Sequence, residues 1–526
     1  MIGGLQRIYH LSLRHAWRNF EKASRSPAAL QSSLLLKLMQ KNASTQIGRR
    51  FHFDRIKSIA AFREQVPITD YDFYEPFMER IAQGETNVLF SDPIKMFERS
   101  GGATSTNKMI PYNQSLFDEF GAGTQPWIFD LYRGYPGLFG TKSYWSISPI
   151  VRKTETTSSG IPIGIESDTE YFGPFARWFF EKTLAVPSHV AKLPTLAEWK
   201  TETLVALANE PELGLFSIWN PSFLTLLMQD LEKRWDEILE RLEPGRRRFL
   251  ESARNSNEGV LTGETLWPRL QVISCWTDGV AAEFLPALRK WFPKTAIQAK
   301  GLLATEGVIS FPLCGHEGGV LAVGSHFLEF QELDNPKTNG QTVLAHELEM
   351  GKRYSPLLTT GGGLTRYCLK DIIRCVGHFN ETPMIRFMEK QDMISDLCGE
   401  KISASQVDHA FGRVREQLGL NYSFAILASK WEANGPPHYH LYIETDVPNS
   451  RIEEAATIIE EYLLTGHHYQ YCRNLGQLAP LSWQRVTEGA RGFQETLANL
   501  GLRLGDIKPS HLARPNLAEH LSKRFC

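Results

Sequence analysis

Apolar residues recur at helical spacing through residues 28–42 (AALQSSLLLKLMQKN), and a second helix-like piece follows at 56–64 (IKSIAAFRE). Pro67-Ile68-Thr69-Asp70 opens a third, with Thr69 or Asp70 placed to cap it. Residues 94–112 (IKMFERSGGATSTNKMIPY) read as a strand, a polar glycine loop and a second strand. An aromatic-rich region, TQPWIFDLYRGYPGLF and then SYWSISPI, precedes VRKTETTSSG, which has the composition of a surface loop. The clearest helical pattern is 221–242 (PSFLTLLMQDLEKRWDEILERL), with proline at its start and mixed charge on the outer face. The segment after it, EPGRRRFLESARNSNEG, reads as a charged surface connection. LQVISCW as strand, DGVAAEFLPALRKWF as helix and AIQAKGLLAT as strand then set the alternation of an α/β sheet.

The stretch 351–392 has a different pattern. Three short apolar runs, YSPLLTT, RYCLKDIIRCVGHF and PMIRFMEK, are separated by Gly361-Gly362-Gly363 and by Asn380-Glu381-Thr382-Pro383. This predicts a β-meander, and the glycine series predicts backbone able to take φ > 0 and lie close to a ligand. Asp371 falls inside an apolar strand-like run, where a carboxylate is costly unless it is paired. Beyond residue 392 the chain reads helix (QVDHAFGRVREQLGL), two alternating strands (YSFAILASKW and PHYHLYIET) and helix (RIEEAATIIEEYLLTG), a small α+β unit. The expected class is α/β, with a large N-terminal domain, 1–391, and a small C-terminal domain, 392–526.

Composition narrows the setting more than the chemistry. At 526 residues the chain exceeds what one core usually supports, and 42% apolar with 22% charged residues is ordinary globular composition. A formal net charge of −2 gives no electrostatic case for nucleic acid or an anionic membrane as partner. No run approaches the ~18 apolar residues of a membrane span, and the basic amphipathic start, MIGGLQRIYHLSLRHAWRNFEK, lacks the apolar core and cleavage site of a signal peptide. The 7 cysteines show no CxxC or zinc-ribbon spacing, so reduced thiols in a cytoplasmic protein are expected.

Four features could carry chemistry. The loop Ser100-Gly101-Gly102-Ala103-Thr104-Ser105-Thr106-Asn107-Lys108 offers backbone N–H groups, hydroxyls and a lysine able to cradle phosphate, without the Walker pattern; it also fits a flexible turn. Thr305-Glu306-Gly307 at the end of GLLAT places a carboxylate where a strand end could hold Mg2+ against a nucleotide; a solvated turn glutamate has the same sequence. Asp371 could accept two ribose hydroxyls, and Lys508 in LGDIKPSHLAR reads by itself as a surface charge. Aromatics at Trp127, Phe129, Trp145 and Trp219, next to Asn220-Pro221, suggest an apolar acyl pocket or simply core. His438 and His440 alternate on a strand and His467-His468 sit in a loop, with no third ligand at metal spacing. HELE at 346–349 lacks the second histidine of HExxH, and no G-x-S-x-G elbow occurs.

In this order the four features resemble the auxin-responsive (Gretchen Hagen) acyl-acid amido synthetases, which include bacterial relatives, from about residue 28 to about 515. The similarity begins with LLKLMQKNASTQIGRRFHFDRIKSIAAFREQVPITDYDFYEPFMERIAQGE. FERSGGATSTNKMIPY matches the family's phosphate loop, LLATEG its Tyr-Ala-Ser-Ser-Glu strand, and LTRYCLKDIIRCVGHFNETPMIRF its Tyr-Arg-x-Gly-Asp segment. DLCGEKIS matches the interdomain hinge, and LGDIKPSHLAR the segment supplying an ATP-contacting lysine. The resemblance implies an adenylate-forming N-terminal domain of sheets with flanking helices plus a β-barrel-like part, and a mobile C-terminal domain hinged near Asp392. It implies ATP as co-substrate with Mg2+, and a small carboxylic acid conjugated to an amine such as an amino acid. Ser100, Gly101, Thr104 and Ser105 would surround the phosphates. Thr305 and Glu306 would lie by the α-phosphate and Mg2+, Asp371 would hold the ribose, and Lys508 would reach the α-phosphate or the carboxylate oxygen. Trp145, Trp219 and Asn220 are the candidates for contact with the acid. The chain departs from the family where Thr104 stands near a glycine position, Leu302 at the adenine-stacking aromatic, and Cys368 and Lys370 at the arginine and glycine of the Tyr-Arg-x-Gly-Asp segment. A thiol-accepting variant and a catalytically degenerate binding protein are the alternatives. The oligomeric state is open, with a monomer favoured.

Overall fold

The computed structural model describes residues 2–100, 108–145, 155–164, 173–257, 259–334, 341–390, 394–432, 435–489, 492–493, 496 and 511–525. The described residues up to Glu389 form one compact unit and those from Lys390 another. The first unit begins with helices α1 (Ile2–Ser12), α2 (Arg14–Ser24), α3 (Pro27–Lys41), α4 (Gln46–Arg50), α5 (Ile59–Gln65) and α6 (Tyr71–Ala82). In α3 the buried face is Gln31, Leu35 and Met39, one residue per turn. Gln31 is tolerated there because its amide donates to Val323 O and His326 O, and its oxygen accepts Leu328 N–H, all at 2.7 Å. Asp70 occupies the cap position of α6, but its carboxylate makes no capping bond. The Thr69 hydroxyl donates instead to Thr365 O at 2.7 Å.

Strands β1 (Ile94–Ser100) and β2 (Lys108–Asn113) pair antiparallel, as expected, and β4 (Glu155–Thr156) and β5 (Pro162–Ile163) extend their sheet, with β3 (Lys142–Trp145) lying elsewhere. The aromatic-rich stretch is largely one helix, α7 (Gln114–Gly134), which carries Pro126 in its interior. The α/β rhythm is present as a four-stranded parallel sheet, β3, β6 (Leu213–Ser217), β7 (Val272–Cys275) and β8 (Ala296–Ala299), in that order. Every residue of β6 and β7 is buried, as suits a parallel sheet covered on both faces. Crossovers run through α8 (Gly173–Thr183) and α9 (Leu196–Asn209), through α10 (Pro221–Lys233), α11 (Trp235–Glu240), α12 (Pro244–Ser256) and α13 (Gly263–Leu266), and through α14 (Leu285–Trp291) after a 3-10 turn at Gly279–Phe284.

Several local expectations change. The helix expected over 221–242 is two helices that break at Arg234. The "charged surface connection" is α12: Leu250 is buried, and Arg246 reaches inward to donate to Ala208 O at 2.7 Å and to Leu266 O. Burial holds the Arg246 guanidinium down at about 10. A basic residue on the buried face hid the helical period. The single strand expected in AIQAKGLLAT stops at Ala299, and the chain then forms a separate hairpin, β9 (Leu303–Ala304) with β10 (Gly307–Val308).

An eight-stranded sheet stands where a barrel-like part was expected: β11 (Ser310–Pro312), β12 (Gly319–Leu321), β13 (Phe327–Glu332), β14 (Thr342–Leu344), β15 (Arg353–Thr359), β16 (Tyr367–Cys368), β17 (Asp371–Phe379) and β18 (Thr382–Lys390). Its order is β11-β12-β18-β17-β15-β13-β14, with β16 on β15, so 353–390 is the predicted meander. Asn380 turns β17 into β18 at φ 52°, a conformation asparagine tolerates.

The second unit pairs β19 (Ile394–Ser395) with β20 (Ile402–Ser403), then adds α15 (Ala404–Leu418), β21 (Phe424–Lys430), β22 (His438–Glu444), α16 (Asn449–Leu464), α17 (His467–Asn474) and β23 (Ser482–Arg485). β21 and β22 form the expected antiparallel pair, and β23 joins parallel to β22. His467-His468 begin α17 rather than sitting in a loop. Glu400 lies buried between Cys398 and Cys472. Leu397 N–H and the Tyr439 hydroxyl donate to one of its oxygens, and Cys398 N–H and thiol to the other. Protein donors therefore fill that carboxylate. The six described cysteines are free thiols. Among the described residues, no helix is long and apolar enough to cross a membrane.

Candidate active site

Thr305 and Glu306 are the two residues between β9 and β10, so the carboxylate sits at the tip of a two-residue hairpin. Two tyrosines hold this tip, and a third lies beside it. Tyr112 OH donates to Thr305 O at 2.5 Å, and Tyr367 OH donates to Glu306 Oε1 at 3.3 Å. Tyr71 OH accepts Met109 N–H at 2.9 Å and feels the charge of Glu306. Glu306 is buried, and burial together with that carboxylate raises the Tyr367 phenol far above its usual range. A phenol that stays protonated can donate to the carboxylate and orient it without adding a second anion. Gly307 is required next to the tip, because a Cβ there would come within 2.6 Å of His326 Nε2.

The loop from Thr365 to Asp371 is stitched to the start of α6. Thr69 N–H donates to Arg366 O at 3.0 Å and Cys368 N–H to Thr69 O at 2.8 Å, while Tyr74 OH accepts Thr365 N–H at 2.7 Å. This fixes Tyr367 against Glu306 and delivers Asp371, 2% exposed, as the first residue of β17. Between them Lys370 adopts φ 58°, the left-handed region where glycine costs least. Its ammonium lies 3.8 Å from Asp70.

Helix α7 joins these parts. Asn113 caps it by accepting Leu116 N–H at 2.9 Å and donates to Gly361 O at 2.8 Å. Glu119 accepts Gly361 N–H at 2.8 and 2.9 Å and pairs with His326 Nδ1 at 2.9 Å. His326 Nε2 accepts Val308 N–H at 3.0 Å, which leaves Nδ1 as the donor to Glu119. The glycine turn is thus tied to the Glu306 hairpin through two side chains. Its close approach is to protein: a Cβ on Gly361 would meet Ser115 Cβ at 2.6 Å, and Gly363, at φ 95°, leaves the same 2.6 Å to Leu89. One turn along α7 from Glu119, Gly123 packs on Val308, and one turn further Trp127 reaches the parallel sheet.

At the carboxyl ends of that sheet, Lys300 stands among three indoles. Its ammonium lies 4.7 Å from the ring centroid of Trp219, 5.1 Å from Trp127 and 5.9 Å from Trp145, and it donates to Ser217 Oγ at 2.9 Å. Trp127 Nε1 donates to Gln298 Oε1 at 3.0 Å, which fixes that ring. Trp145, Trp219 and Lys300 are half-buried.

Three family models match the chain in order: the GH3 family N-terminal domain over residues 16–248, the central domain over 319–390 and the C-terminal domain over 405–516. The chain belongs to the GH3 family. It is 22% identical over 518 residues to the 4-substituted benzoates-glutamate ligase GH3.12 of Arabidopsis thaliana, covering 88% of each chain. It is 22% identical over 474 residues to the indole-3-acetic acid-amido synthetase GH3.4 of the same plant, covering 82% of this chain and 78% of that one. Among solved structures, the AtGH3.15 acyl acid amido synthetase in complex with 2,4-DB matches with a TM-score of 0.65 and 19% identity over 98% of this chain and 96% of that one. That likeness establishes the fold.

Of the residues singled out from the sequence of this GH3 chain, Thr305 and Glu306 share one turn, and Tyr367 links that turn to the segment bearing Asp371. Ser100 ends β1 opposite Lys108. Gly101, Thr104, Ser105, Asp392 and Lys508 lie outside the described residues. Trp145 and Trp219 meet around Lys300, while Phe129, grouped with them by composition, stacks on His10 and Trp17 instead. Asn220 is the buried residue before α10, and its carbonyl accepts Phe223 N–H at 3.1 Å. Leu302 packs against the main core. Sequence reasoning missed Tyr71, Tyr112, Tyr367, Glu119, His326 and Lys300. Only Tyr367 carried a local signal, as the first residue of the matched Tyr-Arg-x-Gly-Asp segment.

Proposed function

We propose that this chain is an ATP-dependent acyl acid amido synthetase. A carboxylate oxygen of the acid attacks the α-phosphorus of ATP, the bond to pyrophosphate breaks, and acyl-AMP forms. The amine of an amino acid then attacks the acyl carbon. The C–O bond to AMP breaks, the amine gives up a proton, and an amide remains. Membership of the GH3 family across most of the chain carries this reading, and a buried carboxylate at a hairpin tip supports it.

The residue roles follow the chemistry. Glu306 is assigned to Mg2+, because a single carboxylate beside substrate phosphates is how that ion is commonly held. Bound there, the ion would neutralise charge on the phosphates as the carboxylate approaches. Tyr367 orients Glu306, and Tyr112 fixes the Thr305 carbonyl at the same tip. Thr305, Ser100, Gly101, Thr104 and Ser105 are assigned to the phosphates, Asp371 to the ribose, and Lys508 to the α-phosphate or the carboxylate oxygen. Trp145, Trp219 and Asn220 are assigned to the acid. The free thiols fit a cytoplasmic setting, and a monomer is the simplest working state.

Acid-dependent exchange of labelled pyrophosphate into ATP tests the first half-reaction. Product mass with amino acids added tests the second. Exchange with at least one acid, followed by an amide mass, is expected. ATP binding without exchange across a broad acid panel would overturn the ligase, and a thioester formed with coenzyme A would change the acceptor.

A further inference from the structure

We propose that His326 is a positioning residue for Glu306: its buried ring, held in one tautomer by Glu119, fixes the hairpin that presents the carboxylate. The proposal rests on the amido synthetase reading and on the assignment of Glu306 to Mg2+. It adds a residue that acts through the backbone rather than on the substrate.

The hairpin cannot hold itself. β9 and β10 contribute two residues each, and a two-stranded hairpin is marginal without outside support. Below the paired residues, Leu302 O accepts Ile309 N–H at 2.9 Å and Ser310 N–H at 3.1 Å. The Val308 N–H leaves this ladder and donates to His326 Nε2 at 3.0 Å. On the other side of the tip, Tyr112 OH donates to Thr305 O at 2.5 Å. Tyr367 reaches the Glu306 carboxylate itself, at 3.3 Å. His326 thus supports the strand that leaves Glu306, two residues beyond it.

The ring also sets a floor. His326 is 0% exposed. A Cβ on Gly307 would lie 2.6 Å from Nε2 and 3.0 Å from Cδ2. Gly307 does not take a positive φ, so the ring, and not the backbone conformation, demands glycine beside Glu306. The ring is fixed in its turn: Gln31 donates to His326 O at 2.7 Å, and Ser325 Oγ donates to Glu119 O at 2.7 Å.

The tautomer decides whether this support exists. Nε2 of a neutral ring accepts a hydrogen bond only when the proton is on Nδ1. Glu119 Oε2 lies 2.9 Å from Nδ1 and selects that form. Gly361 N–H holds the Glu119 carboxylate at 2.8 and 2.9 Å. With the proton on Nε2 instead, two N–H groups would face each other at Val308. Groups one step removed from a metal ligand set its direction in this way, and their loss typically costs about 10- to 100-fold in metal affinity or activity. A histidine that only filled the core would cost stability and leave activity per folded molecule alone.

Two substitutions divide the ring. In His326→Gln the amide oxygen reaches the place of Nε2 and can accept Val308 N–H. In His326→Asn the amide nitrogen takes the place of Nδ1, donates to Glu119 and leaves Val308 N–H unmet. Three quantities are measured on the full-length protein, well below each unfolding midpoint. They are maximal acid-dependent pyrophosphate exchange, the KM for the acid, and the affinity for Mn2+ in the presence of ATP by electron paramagnetic resonance, Mn2+ standing in for Mg2+ on oxygen ligands. His326→Gln is expected to stay within about threefold of wild type. His326→Asn is expected to lose about tenfold or more in exchange and in Mn2+ affinity, with the KM for the acid unchanged. Equal behaviour of the two variants, or losses that follow the unfolding midpoint, would overturn the proposal and leave the ligase standing. No exchange by the wild type with any acid would overturn the ligase, and the Mn2+ comparison would still decide the role of His326. In protein carrying isotope-labelled histidine, the ring signals lost in His326→Gln should be those of an Nδ1–H tautomer. An Nε2–H ring would overturn the proposal by itself.

Discussion

Arg366 and Lys300 are both cations drawn in from the surface of the large unit, and their surroundings satisfy them in opposite ways. Arg366 is 5% exposed. It donates to Glu329 at 3.0 and 3.4 Å, to Val66 O at 2.8 Å and to Thr342 Oγ1 at 3.3 Å. Glu329 is answered in turn by Arg63 and Thr342. Each hydrogen-bonding direction of that pair points at protein, and its task is to hold β13, β14 and the loop after β15 to the segment after α5. The Lys300 ammonium lies over the faces of Trp127, Trp145 and Trp219 and donates to Ser217 Oγ in a half-buried setting. A charge whose partners are all structural is scaffold.

Removing Arg366 is the strongest test of that contrast. Arg366→Met leaves the buried Glu329 carboxyl underpaired in the core, and it should destabilise the protein by about 3–5 kcal/mol in denaturant unfolding. Lys300→Met, at a half-buried ammonium, should cost about 1 kcal/mol or less. Equal losses in the two variants would erase the distinction.

Next in size is the carboxylate assigned to catalysis. Glu306→Ala should lower pyrophosphate exchange by about 10²-fold or more, with the unfolding midpoint little changed, because an electrostatic contributor to the transition state is lost. A large loss of stability with activity per folded molecule preserved would move Glu306 to the scaffold side, beside Glu329.

A third buried group separates burial from charge altogether. His440 is 5% exposed and pairs with Ser482 Oγ at 2.6 Å, and burial, then Lys430 and His438, depress its pKa to about 4. The unfolded imidazole takes its proton near 6.5, so unfolding gains protons on acidification before the native state does. The stability contributed by the neutral ring is present above pH 6.5 and is lost as the pH falls through 6.5 toward 4. The loss should be up to about 3 kcal/mol, the gap between 6.5 and about 4 taken at about 1.36 kcal/mol per pH unit. Thermal unfolding across that range should show the fall in the wild type and a flatter curve in His440→Phe.

The smallest effect lies at Lys370. Its φ of 58° suits glycine, so Lys370→Gly should stabilise the protein by up to about 1 kcal/mol, less the loss of the long contact to Asp70. A destabilised variant would mean that the lysine side chain matters more than the backbone it strains.

The legible part of the fold was the part written in consecutive residues. The helical spacing of apolar residues across 28–42, Leu35 and Met39 among them, reads directly as α3, and the turn at Asn380-Glu381 reads as the β17–β18 reversal. α12 was not legible, because Arg246 occupies a buried position where periodicity looks for an apolar residue. Nor was the β9–β10 hairpin, whose strands are two residues each and leave no alternation to detect. Within the site, Glu306 and Asp371 stood in recognisable local motifs. Glu119 and His326 lie 207 residues apart and become partners only through tertiary packing. Lys300 is the extreme case, since its neighbours come from positions 127, 145, 217 and 219, and nothing beside it in the chain marks it.

Helix α7 carries Glu119, Gly123 and Trp127 on one stripe, four residues apart each time. A hydrogen-bonded helix does not stretch by the width of a methylene group, so the separation between the glycine turn, the Glu306 hairpin and the tryptophan box is set by backbone geometry rather than by side-chain adjustment. Loops elsewhere in the unit can drift in length over generations without altering that gauge. Change in this part of the unit is then confined to side chains, as a fixed-jaw calliper is refitted only by changing its tips.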